Sequence, residues 1–117
     1  ISALTDMILG AKSDIEASGI TAPIVGHIGD GNFHTVMLVP PGPEGIAAAH
    51  ELDRKLIARV LSLGGSASGE HGVGLAKMEF MTAEHDAVSL DVMRTIKNAL
   101  DPNTILNPGQ LRPPVAT

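Results

Sequence analysis

The stretch GHIGDGNFH at residues 26–34 limits the fold more than any other part of this chain. Asp-Gly is a favoured two-residue hairpin turn, because both central residues take positive φ. The flanks suit strands: Pro23-Ile24-Val25-Gly26-His27-Ile28 before the turn, and FHTVMLV at residues 33–39 after it. With Asp30 and Gly31 as the loop, residue 29 pairs with 32, 28 with 33 and 27 with 34. His27 and His34 then stand opposite each other on one face, with Cβ atoms about 5 Å apart. Two imidazoles at that spacing can share one metal ion. From the hairpin alone, two unrelated histidines explain the pattern more simply.

Helices flank the hairpin along the sequence. Leu4, Ile8, Ala11 and Ile15 recur at three- and four-residue steps, which predicts an amphipathic helix over residues 3–18. Gly19 suits its C-cap, and Pro23 forbids continuation. Pro40-Pro41-Gly42-Pro43 closes the hairpin as a loop. A second helix is expected over residues 44–63, with Ile46, Ala49, Leu52, Leu56 and Val60 on one face and Ile57 and Leu61 widening it. Pro43 suits the first turn, Glu44 suits the positive end of the dipole, and Gly64-Gly65 end the helix.

Residues 66–71, SASGEH, are poor in β-branched side chains, so propensity alone makes them a loop. Their place in the order suggests a third strand beside the hairpin, small residues allowing close backbone approach. Residues 75–81 predict a helical turn or two. Thr82 is a candidate N-cap for a third long helix over residues 83–100, with Val88, Val92 or Met93, Ile96 and Leu100 as its apolar stripe. Asp101-Pro102 stops it. The tail from residue 101 to 117 is irregular and Pro-rich.

The order helix, strand, strand, helix, strand, helix predicts an α+β fold, a small antiparallel sheet with helices packed on one face. It is similar to a ferredoxin-like βαββαβ unit with the first strand missing. The open sheet edge left by that strand invites pairing with a second copy, a homo-oligomer. A length of 117 residues suits a single domain with one core, and two Phe as the only aromatics make that core aliphatic. The chain starts at Ile1, and it is expected to be a piece of a longer protein.

Charge and composition exclude several functions. A net charge of −5 with no basic run argues against nucleic acid and against an anionic membrane surface as partners. Without Cys there is no disulfide, no thiolate metal site and no thiol nucleophile. No apolar run reaches the ~20 residues of a transmembrane helix, and no signal peptide is visible. The expected place is the cytoplasm, free or peripheral to a membrane.

His27, His34, Glu70 and His71 form the chemical constellation. Two His and a Glu suit a catalytic divalent ion with a position left open. Neutral imidazoles bind, and in the absence of Cys the ion is zinc, manganese or iron(II) rather than copper(I). Glu70 and His71 are adjacent, and neighbours on a strand point to opposite faces. Both serve one site only at a strand end or bulge, which Gly69 and Gly72 allow. Asp30 and Asn32 fit ordinary turn chemistry as well as support of the ligands. Lys77 and His50 read as surface side chains, and His85 has no assigned role. The glycines of GDGN and GEHGVG match no phosphate-binding fingerprint.

Three segments carry a family resemblance: GHIGDGNFH at 26–34, GGSASGEHGVGLAK at 64–77 and DPNTILNPGQL at 101–111. In order and spacing they resemble the C-terminal region of FAD-linked oxidases with the vanillyl-alcohol-oxidase type of flavin fold. That branch includes D-lactate dehydrogenases and the glycolate oxidase flavin subunit. The resemblance implies that FAD is held mainly by an N-terminal domain outside this chain, on which residues 101–117 pack. It implies His27, His34 and Glu70 as metal ligands, His71 as the base near the substrate hydroxyl, and Asn107 in the segment approaching the flavin. It implies metal-assisted oxidation of a D-2-hydroxy acid, D-lactate or glycolate-like, to the 2-oxo acid, with a separate electron acceptor and no turnover by the fragment alone.

Two positions depart from the family pattern. Gln110 stands where Lys often follows NPG. Val36 stands where diacid-using branches carry Asn, and an apolar residue there fits a small hydroxy acid better than a diacid. A competing expectation is a non-enzymatic α+β module that binds metal or oligomerises through its sheet edge. A stand-alone His2Glu metal hydrolase is a third, but it lacks a separate general base.

Overall fold

The structure, a computed structural model, describes residues 1–110. It is α+β, as the element order predicts. The order is α1 (Leu4–Ser18), β1 (Ile24–His27), β2 (Asn32–Thr35), α2 (Pro43–Ser62), α3 (Met81–Glu84) and α4 (Ala87–Leu100). Short 3-10 turns occupy Ile28–Asp30, Gly69–His71 and Met78–Phe80. The chain divides into two compact units, Ile1–Gly65 and the residues from Ser66 on. The part of the tail beyond residue 110 lies outside the described residues.

In the first unit, α1 ends where expected: Gly19 takes φ 71° and its N–H reaches the Glu16 carbonyl. Pro43 opens α2, as its fixed φ favours. Met7 and Ala11 of α1, Ala22, and Leu52 and Leu56 of α2 form the buried cluster, with Ile24, Phe33 and Met37 packed against it. Each Met or Leu side chain of this cluster contributes about 1.5–3 kcal/mol on leaving water, and each Ala methyl under about 1 kcal/mol. A charged lock spans the same two helices. Asp14 of α1 is buried, and Arg59 Nε at 2.8 Å and Lys55 Nζ at 3.1 Å reach its carboxylate from α2.

The hairpin register corrects the expected one. Ile24 pairs with Thr35, Val25 with His34, Gly26 with Phe33 and His27 with Asn32. The loop is therefore four residues, 28–31, not two. Ile28–Asp30 turns as a 3-10 helix, and Gly31 at φ 75° returns the chain. A two-residue Asp-Gly loop would have needed residues 28 and 33 to pair. The chain instead closes one 3-10 bond, Gly31 N–H to the Ile28 carbonyl. Gly26 is required by close approach, since a Cβ there would fall on the Asn32 carbonyl and the Phe33 Cα.

The second unit departs further from expectation. Among the described residues the only sheet is β1–β2, so residues 66–71 form no third strand. They end in the Gly69–His71 turn, with Gly69 at φ 52° and Gly72 at φ 75°, backbone that no regular strand adopts. The ferredoxin-like comparison keeps its helices and hairpin and loses that strand. The long helix over 83–100 is also two helices. His85 is extended, and Asp86, not Thr82, caps α4 by accepting the Ser89 N–H at 2.7 Å. In α4 only Leu90 is buried, while Val88, Val92, Ile96 and Leu100 are exposed. The periodicity correctly marks an apolar face, but nothing in the described residues covers it.

Candidate functional site

Alternation along the hairpin sets its two faces. Ile24 and Phe33 lie on the face that packs against the helical core. Val25, His27, Asn32 and His34 take the opposite face by the period-2 rule. Val25 is 52% exposed, which marks that face as open. His27 and His34 are diagonal neighbours here, not directly opposite. Diagonal neighbours on one face stay within reach for aromatic rings. The two imidazoles meet edge to face, with ring centroids 6.4 Å apart. A ring nitrogen of one lies within 4.8 Å of a ring nitrogen of the other. Two ligand bonds of about 2.1 Å span at most about 4.2 Å, so a small rotamer change lets both rings share an ion. The first unit thus presents a donor pair that fits a divalent metal.

In the second unit Glu70 and His71 share the Gly69–His71 turn. His71 Nε2 lies 3.6 Å from Glu70 Oε1, and His71 is 77% exposed at its side chain. Three-residue 3-10 geometry sets neighbours about 120° apart rather than on opposite faces. The strand-face conflict between Glu70 and His71 is thereby removed. The bulge expected there is replaced by a turn between two left-handed glycines.

Asn107 lies on its own turn after α4, with φ 46°, and its carbonyl accepts the Gln110 N–H at 3.1 Å. Asp101 holds the approach to that turn. It is buried, pairs with Lys97 Nζ at 2.7 Å, and accepts the N–H groups of Ile105 at 2.9 Å and Leu106 at 3.0 Å. The Lys97 bond, helped by those two N–H donors, outweighs burial and keeps the Asp101 carboxyl below its ordinary 3.8. The Lys97–Asp101 i,i+4 spacing was visible in the sequence, but its service to residues 105–107 was not. His50 on α2 is exposed, as expected. Lys77 stands over the Phe80 ring at 5.7 Å.

A model of the C-terminal domain of FAD-linked oxidases matches residues 1–111. The chain belongs to this family. It is 40% identical over 115 residues to a mitochondrial D-lactate dehydrogenase [cytochrome] of Arabidopsis thaliana, covering 97% of this chain and 20% of the relative. A probable mitochondrial D-lactate dehydrogenase of Danio rerio is 37% identical over 112 residues, 95% of this chain and 22% of the relative. The glycolate oxidase subunit GlcD of Escherichia coli K12 is 39% identical over 85 residues, 72% of this chain and 17% of the relative. The chain spans about a fifth of the length of these curated relatives. Among the described residues no helix is long and apolar enough to cross a membrane.

Proposed function

We propose that this chain is the C-terminal, substrate-facing part of an FAD-dependent dehydrogenase that oxidises a D-2-hydroxy acid to the 2-oxo acid. The observation that carries the reading is the His27–His34 pair on the open face of a hairpin, within a domain of the FAD-linked oxidase family. His27, His34 and Glu70 hold a divalent ion (zinc, manganese or iron), which when bound supplies Lewis acidity toward the substrate hydroxyl and carboxylate. FAD, held mainly by a domain outside this chain, supplies the acceptor for the hydride from C2. His71 takes the hydroxyl proton at a ring nitrogen, and its exposed place on a turn lets it reach a bound substrate. Asn107 is exposed on its turn, in the segment that would approach the flavin.

D-lactate is the first substrate to test, because lactate dehydrogenases stand among the relatives and Val36 adds no polar group for a second carboxylate. A D-2-hydroxyglutarate dehydrogenase of Xanthomonas citri, 39% identical over 89 residues, keeps the wider class of 2-hydroxy acids open to the same fold. A separate electron acceptor completes turnover, and this chain by itself is inactive.

The test is anaerobic bleaching of flavin in the full-length protein on adding D-lactate, with and without a chelator. Bleaching that the chelator abolishes is the expected result. Bleaching by another 2-hydroxy acid alone changes the substrate and keeps the chemistry. A full-length protein without flavin overturns the proposal and leaves a non-enzymatic module.

A further inference from the structure

The Gly69–His71 turn carries two residues to which the proposed function gives work, and a carboxylate outside the turn holds the segment that leads into it. The turn is three residues long, begins on Gly69 at φ 52° and is followed by Gly72 at φ 75°. Glycine carries the largest backbone entropy, so bonds from outside the turn help to fix its conformation. Those bonds come from Glu84, the last residue of α3. Its Oε2 accepts the Ala67 N–H at 3.0 Å across 17 positions of sequence. The Ser66 hydroxyl donates to the same carboxylate. Ser66 Oγ in turn accepts the Ser68 N–H at 3.4 Å and meets Ser68 Oγ at 3.1 Å. Ser68 is the residue on which the turn begins. One half-buried carboxylate therefore fixes the three residues that lead into Glu70 and His71.

Glu84 is itself held firmly. Buried Met81 anchors α3, and the His85 N–H closes on the Met81 carbonyl at 2.9 Å. Burial would push the Glu84 carboxyl up, but the Ser66 and Ala67 donors outweigh it and keep it below its ordinary 4.5. It is a carboxylate at neutral pH, and its bonds to the loop are charge-assisted.

We propose that Glu84 is a positioning residue for the reaction: through Ser66, Ala67 and Ser68 it fixes the turn that presents Glu70 and His71. The proposal rests on the reading of His71 as the proton acceptor. A misplacement of about 1 Å at a reacting group costs on the order of 100-fold in rate. Glu84 acts at one remove, so a loss of about 10–100-fold is expected in Glu84→Ala.

The experiment uses the full-length flavoprotein and measures the rate of anaerobic flavin bleaching by D-lactate, with dithionite reduction and flavin content alongside. Glu84→Ala should slow bleaching by D-lactate while dithionite reduction and flavin content stay at the parent level. Glu84→Gln keeps an oxygen for the Ala67 N–H and should recover part of the rate. In a Glu70→Ala, His71→Ala background, Glu84→Ala should add less than about twofold, because all of these changes remove the work of one turn. A full multiplicative loss in that background overturns the proposal, since the effect then does not run through the turn. So does a parent rate in Glu84→Ala when His71→Ala is slow, and that result leaves the reading of His71 intact. A parent rate in His71→Ala overturns both. Should Glu84→Ala lose its flavin, Ser66→Ala deletes one donor and keeps the carboxylate, and a parent rate there overturns the proposal.

Discussion

His27 and His34 reach their places by a different device from Glu70 and His71. The histidines ride on a hydrogen-bonded ladder, where the period of two decides which face each side chain takes. Glu70 and His71 ride on a turn whose glycines permit the conformation without enforcing it, and the enforcement comes from Glu84. A ladder tolerates a local error, because a shift of two residues keeps the face. A tethered turn does not, because one carboxylate holds the segment that leads into it. Variants that break the ladder should therefore differ from variants that break the tether.

The largest effect is expected from removing the pair itself. A His27→Ala, His34→Ala double variant of the full-length protein deletes two proposed ligands. Metal content after purification without a His tag should fall to background. The loss in affinity should exceed the roughly 10–100-fold that follows from losing a partner beyond the ligands. Stoichiometric metal retained in the double variant would refute the shared site.

Next in size is the close approach at Gly26. In Gly26→Ala the new methyl meets backbone atoms of Asn32 and Phe33, so the strands must part. Overpacking of this kind costs about 1–3 kcal/mol. Chemical denaturation should show that loss, and metal content should drop with it, because His27 follows Gly26 directly. Gly72→Ala sharpens the comparison. A Cβ there meets nothing within 4 Å, but φ 75° with ψ −178° is a conformation reserved for glycine. Its cost is conformational, and it should lower the bleaching rate while metal content falls less than in Gly26→Ala, because only Glu70 of the three proposed ligands rides on this turn. Equal metal loss in the two variants would contradict the two-device picture.

The same contrast explains what the sequence made legible. α1 and α2 follow from apolar spacing, Gly19 and Pro43, all local signals. The His pair was found on the right face with the wrong register: Asp30-Gly31 suggested a two-residue loop, but a four-residue loop shifts the pairing by two and preserves the face. The strand proposed over residues 66–71 came from element order and lacked β-branched residues to support it. The break at His85 and Asp86 was missed because apolar spacing runs through it, although Asp86 ahead of α4 is a usable cap signal. Exposure of Val88, Val92, Ile96 and Leu100 was not legible either, since periodicity reports an apolar face and not its cover. Glu84 and Asp14 carry no motif. Their roles arise from partners 17 and 45 positions away, which spacing along one helix does not reveal.

Asp14 gives the smallest and most general test, because it belongs to neither device and reads the packing of α1 on α2. Burial would raise its carboxyl, but the hydrogen bonds and charges of Arg59 and Lys55 outweigh burial and hold it below 3.8. A carboxyl lowered in the folded state favours folding above its unfolded value, and that contribution is lost as pH falls through the folded value. Glu84 and Asp101 shift in the same direction and act in the same window. The melting temperature should thus stay unchanged through these groups between about pH 7 and 5, where their contribution is fully present, and should fall below about pH 4. Asp14→Asn removes one charge from the lock. Arg59 and Lys55 remain partly exposed and can turn to water, so the cost at neutral pH is on the order of 1 kcal/mol, well below that of a fully buried pair. The acid limb of Asp14→Asn should be shallower than that of the parent. An acid limb of unchanged slope would mean that the α1–α2 lock does not contribute to acid stability, and that Glu84 and Asp101 carry it instead.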